Sequence, residues 1–112
     1  MQYLEIVTED VDGVVGFYEG VLGLSFGAPD ADLGLARVAS EADGSLIGVR
    51  KPLASHEEPI ARVYLAVDDI EQAVRDAEAL GAVVAYGPTA QGQRGTFAIL
   101  FQGGVQHGLW QQ

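Results

Sequence analysis

Two copies of one pattern, set about sixty residues apart, constrain this chain more than any other feature. Asp10 and Asp69 each stand directly before an amphipathic run. Gly23 and Gly81 end those runs, and Gly48 and Gly108 sit inside the last β-compatible segment of each half. The three pairs are offset by 59, 58 and 60 residues. Near-constant offsets across a helix cap, a helix stop and a strand mean that one supersecondary unit occurs twice. The unit reads β-α-β-β-β, and a copy of roughly fifty residues cannot bury one face of its sheet alone. Two copies facing each other, within one chain or across a dimer, can curl into a mixed sheet or open barrel around a cavity. The fold class expected is therefore α+β.

The helices are the firmest elements. Val11, Val14, Val15, Tyr18, Val21 and Leu22 form one continuous apolar stripe, with Asp10 as N-cap and Gly23 as stop. Ile70, Ala73, Val74, Ala77 and Leu80 repeat it over 70–80, with Asp69 as cap and Gln72 placed as in a capping box. Segments 2–8 and 61–67 are β-compatible and lead into the two caps. Segments 33–39 and 45–51 flank the turn signal Asp43-Gly44 and predict a hairpin. Three further strands are expected at 82–86, 96–101 and 106–111. Lys51 to Pro59 carries two prolines and reads as a connection. A single domain results, with modules at 1–52 and 60–112 and a linker at 53–59.

Charge removes whole classes of function. Sixteen Asp and Glu against six Lys and Arg give a net charge of -10, and nucleic acid and anionic membrane both repel such a chain. With no cysteine there is no disulfide framework, zinc knuckle or thiol nucleophile. The opening stretch turns acidic by Glu5, unlike a secretory leader, so a cytoplasmic location is expected.

Three strings then carry a family likeness: VTEDVDGVVGFYEGVLGLSF, YLAVDDIEQAVRDAEALGAVV and the closing GTFAILFQGGVQHGLWQQ. In this order and spacing the sequence resembles the vicinal oxygen chelate superfamily, which includes glyoxalase I, extradiol dioxygenases and bleomycin-resistance proteins. It is most similar to short two-module glyoxalase-related proteins. The resemblance implies a glyoxalase-like fold and a homodimer. It also implies a divalent metal held by His, Gln or Glu from the first and last strands of each module. By position those ligands fall on Tyr3, Arg62, Gly48 and Gly108. Tyrosine is an uncommon ligand, glycine offers no side chain, and arginine repels a cation. The resemblance therefore implies the fold without the metal, and no cofactor is expected.

Strand alternation indicates what shares the face of the lost ligands. Tyr3 and Glu5 fall there from the first strand, Arg62 and Tyr64 from its counterpart, and Arg50, Gln106 and Trp110 beside the glycines. This set suits a polar-aromatic or carboxylate-bearing small molecule. Glu5 is the candidate general base, with Tyr3 or Arg62 for an oxyanion. The alternative for Glu5 is an ion pair with Arg62 or Arg50 and no chemistry. His107 alternates to the opposite face, His56 lies in the connection, and 88–95 is either a flap over the cavity or a long hairpin connection. The leading expectation is a metal-independent small-molecule-binding protein of the glyoxalase or bleomycin-resistance type. A glyoxalase-related lyase or isomerase using Glu5, and a non-catalytic regulatory partner, are the alternatives.

Overall fold

A computed structural model describes residues 2–112, so Met1, at the head of the expected first module, lies outside it. In chain order the elements are β1 (Tyr3–Val7), α1 (Val11–Leu22), β2 (Arg37–Ser40), β3 (Leu46–Arg50), β4 (Ile60–Ala66), α2 (Ile70–Ala79), β5 (Val83–Ala90), β6 (Thr96–Gln102) and β7 (Val105–Gln111). All seven strands join one mixed sheet in the order β2-β3-β1-β4-β7-β6-β5, which does not close on itself.

The repeat is visible in the pairing. β1 lies parallel to β3, and β4 lies parallel to β7. The central contact is the antiparallel pair of β1 and β4, in which Leu4 faces Val63. Those two residues are also 59 apart in sequence, so equivalent positions of the two modules meet at the midline of the sheet.

One copy is short. β5 has no counterpart in the first module, where residues 24–36 form a loop with a 3-10 turn at Ala31–Leu33 and a lone bridge from Asp30 to Ala36. The first module is therefore β-α-β-β, and the strand expected over 33–39 begins only at Arg37. Two local causes stop it. The Asp30 carboxylate accepts from the Asp32 amide at 2.9 Å and winds the turn, and Gly34 and Leu35 both take positive φ (64° and 65°). No strand runs through two left-handed residues. The hairpin at Asp43-Gly44 forms as expected, with Asp43 Oδ1 accepting from the Ser45 amide at 2.9 Å and Gly44 at φ 87°.

Both caps hold: Asp10 accepts from the Gly13 amide at 3.0 Å and Asp69 from the Gln72 amide at 3.1 Å. The capping box is only half made, because the Gln72 side chain donates to Asp76 instead of turning back. β5 continues past Tyr86 to Ala90 through register shifts on either side of Tyr86, the second spanning Gly87-Pro88, where irregularity accommodates a proline. Helices cover one face of the sheet: α1 packs on Ala39, Ile47 and Val49, and α2 on Ala98 and Leu100. The other face carries Tyr3, Tyr64, Ile99 and Trp110. That face holds the cavity.

Candidate functional site

The middle of the sheet builds the site by register alone. Glu5 on β1 lies beside Gly48 on β3 and directly opposite Arg62 on β4. Period-2 alternation turns Tyr3, Glu5, Arg62, Tyr64 and Arg50 to the same face. Arg50 Nε donates to Glu5 Oε2 at 2.9 Å, Arg62 Nη1 donates to Glu5 Oε1, and Tyr64 Oη donates to the same oxygen at 3.2 Å. Arg62 is oriented from β7 as well, its Nε donating to Gln106 Oε1 at 2.9 Å. Glu5, Arg50 and Arg62 are 7%, 6% and 8% exposed, so this is a buried ion network and each charge depends on its partners.

Aromatic rings continue the floor. Tyr3 and Tyr64 stack at 5.7 Å, and Trp110 meets both edge-on at 5.5 and 5.4 Å. Trp110 is fixed by its indole N–H donating to the Arg94 carbonyl at 2.8 Å. Above the floor lies a cavity of about 620 Å³. All seven residues singled out from the sequence (Tyr3, Glu5, Arg50, Arg62, Tyr64, Gln106 and Trp110) line it, and both modules of one chain contribute. The Tyr3 hydroxyl is buried without a hydrogen-bond partner among the described residues. Burial, aided by the nearby Glu5 charge, pushes its pKa well above the usual phenol range, so it is a neutral donor awaiting an acceptor.

The connecting segment matters more than its sequence suggested. Glu57 accepts from Arg50 Nη1 and Nη2, both at 2.9 Å, and from the Leu53 amide at 2.7 Å. The Arg50 guanidinium holds the Glu57 carboxyl down at about 2. His56, Leu53 and Ala54 join the cavity wall. No periodicity marks any of these residues, and the cluster Ser55-His56-Glu57-Glu58 between two prolines was the only signal. Phe97, Phe101 and Tyr86, also on the wall, were legible only as strand residues. Within segment 88–95 the residues through Ala90 extend β5, and 91–95 form a hairpin connection docked on the first module, with Arg94 donating to Asp30 at 2.7 Å and the Gln93 amide to Asp32 at 3.2 Å. His107 lies on the helix-covered side, its Nε2 at 3.1 Å from the Gln102 carbonyl.

The four positions at which the resemblance places metal ligands do not fit a dication. A Cβ built on Gly48 would stand 2.7 Å from Tyr3 Cζ, and one on Gly108 would stand 2.6 Å from Tyr64 Cγ. The two tyrosine rings occupy the space a ligating side chain would need. Arg62 places a guanidinium against Glu5, and among the described residues no three His, Asp or Glu converge to hold a metal.

Residues 3–100 match the family described as the glyoxalase-like domain. No curated protein sequence matches significantly. Among solved structures, the hypothetical protein BH1468 from Bacillus halodurans is 21% identical, with a TM-score of 0.76 over 98% of this chain and 91% of that one. A methylmalonyl-CoA epimerase of Streptomyces coelicolor, in complex with 2-nitronate-propionyl-CoA, is 20% identical, with a TM-score of 0.70 over 98% and 94%. The Mycobacterium tuberculosis methylmalonyl-CoA epimerase is 18% identical, with a TM-score of 0.72 over 97% and 85%. Identities this low speak for the fold alone.

Proposed function

The chain belongs to the glyoxalase-like domain family, and from that premise we propose that it is a metal-independent small-molecule-binding protein. It takes a polar-aromatic or carboxylate-bearing compound into the cavity between its modules. One observation carries this reading: tyrosine rings stand over both glycines where the family's metal ligands would be, while the cavity beyond them stays open. The aromatic walls suit a flat body. The unpartnered Tyr3 hydroxyl, with Arg62 Nη2 free of partners among the described residues, suits an acceptor oxygen on the ligand.

The reading as a lyase or isomerase asks Glu5 to remove a proton. Both of its oxygens already accept from donors on neighbouring strands, so the geometry favours Glu5 as the anchor of the two arginines. The reading as a regulatory partner with a vestigial pocket asks for a cavity filled by side chains, and about 620 Å³ is open.

Native mass spectrometry of the protein as purified, with neither metal nor chelator added, tests the proposal. A homodimer free of divalent metal and carrying an added small organic mass is the expected result, and a bare homodimer leaves the lyase and partner readings level with it. A stoichiometric metal overturns the proposal.

A further inference from the structure

Of the four charges around the cavity's polar end, three stand on strands held by ladder hydrogen bonds: Glu5 on β1, Arg50 on β3 and Arg62 on β4. The fourth, Glu57, stands on the irregular connection between Pro52 and Pro59. The backbone of this connection makes few regular bonds; the Glu57 amide donates to the Ala54 carbonyl in a turn. What ties it to β3 is the Glu57 side chain, through both Nη atoms of Arg50, and the same carboxylate closes the turn by accepting from the Leu53 amide within the connection. Leu53 in turn leans on the Gly34 turn of the first module. With Glu57 seated, two guanidiniums face two carboxylates and the charges cancel. With Glu57 lifted, the Arg50 fork is open to the cavity and one positive charge is uncompensated.

A two-pronged guanidinium–carboxylate contact is the geometry an arginine offers any carboxylate. We infer that Glu57 occupies the seat of a ligand carboxylate on Arg50, so that the protein selects aryl carboxylates, which bind by displacing Glu57 and releasing the 51–59 segment. The class follows from the cavity lining: the Arg50 fork on β3, and the rings of Tyr86, Phe97, Phe101 and Trp110 on β5, β6 and β7. This inference rests on the cavity reading above and deepens it. Glu57 sets specificity by competition, as an internal carboxylate that any incoming one has to outbid.

The probes are phenylacetate and its neutral isostere phenylacetamide, followed by the fluorescence of Trp110, the only tryptophan in the chain. Glu57→Gln should tighten phenylacetate about tenfold or more and move phenylacetamide less than about twofold. Equal gains for both probes, or binding of both with no effect of the substitution, overturn the exchange while leaving the cavity reading standing. Binding of neither probe to either protein also overturns it, and the cavity reading then stands or falls on the native mass experiment. A second measurement needs no variant. In the wild-type protein, saturating phenylacetate should speed hydrogen exchange at the Leu53 amide, because its acceptor leaves with Glu57. A Leu53 amide that stays protected while phenylacetate is bound overturns the latch.

Discussion

Gly48 and Gly108 are the positions where one methyl group probes the whole arrangement. Gly48→Ala pushes a carbon into the Tyr3 ring, which packs between Tyr64 and Trp110. Overpacking of this kind costs about 1–3 kcal/mol. Urea unfolding should show that loss for Gly48→Ala and a similar one for Gly108→Ala, whereas midpoints equal to wild type would mean the rings do not sit where the structure has them. Tyr3→Phe works the other way. A buried hydroxyl with no partner costs about 1–3 kcal/mol, so its removal should leave stability unchanged or raise it while weakening ligand binding. A loss of stability in Tyr3→Phe would show that the hydroxyl has a partner after all. Glu5→Gln is a poor test of catalysis here, because it leaves two buried guanidiniums without their shared carboxylate, a loss of about 3–5 kcal/mol. The pairing of Glu5 with Arg62 was readable from alternation and the repeat offset together. The rings over the glycines were not, since a side-chain rotamer leaves no trace in a sequence pattern, and neither was the reach of Glu57 back to Arg50.

The two helices share a cap and a position but not a composition, and the difference is measurable. α1 carries Gly13, Gly16 and Gly20 in its body, whereas α2 is built from Ala, Glu, Gln and Arg around its two buried anchors, Ile70 and Val74. A Cβ at Gly16 or Gly20 would meet nothing within 4 Å, so alanine there keeps every contact and removes chain entropy from the unfolded state. Each substitution should stabilise by about 0.5–1 kcal/mol, and thermal unfolding of the double variant should show a near-additive gain. Gly13→Ala should instead destabilise, because its Cβ would stand 2.7 Å from Asp10 Cγ and expel the cap. A gain at Gly13 would mean that the Asp10 cap contributes nothing. At this scale the sequence was most readable where a period and a cap agree, as in both helices and the 41–45 hairpin. It failed where local turn chemistry overrode β-compatible composition: Asp30, Gly34 and Leu35 turn 30–36 into a loop, and bulges carry β5 past a proline that reads as a stop.

For the whole molecule, the burial of Arg50 and Arg62 decides how stability responds to pH. The chain has six basic residues, and two of them are spent inside against Glu5 and Glu57, so the outer surface keeps the entire net charge of -10. That surface repels itself, and salt screens it: raising ionic strength from about 0.05 to about 0.5 M should raise the unfolding temperature. Acid acts on both terms. Protonating surface carboxylates first relieves repulsion, which stabilises. The latch then responds in the opposite direction, because Glu57 titrates at about 2 when folded against an ordinary 4.5, the depression coming first from its hydrogen bonds to Arg50. The folded state therefore binds that proton less readily than the unfolded state. The contribution is complete above pH 4.5, shrinks as pH falls from 4.5 toward about 2, and is gone below that. Asp30, lowered by its bond to Arg94, adds to the same loss. Glu57→Gln lacks the titrating group, so its unfolding free energy should lie below wild type at neutral pH and the two curves should converge between pH 4.5 and about 2. Urea unfolding of both proteins across that window is the check. A gap that stays constant through it would mean that Glu57 is seated on Arg50 by shape and not by charge, and the segment that walls the cavity would then have no electrostatic hold for a ligand to break.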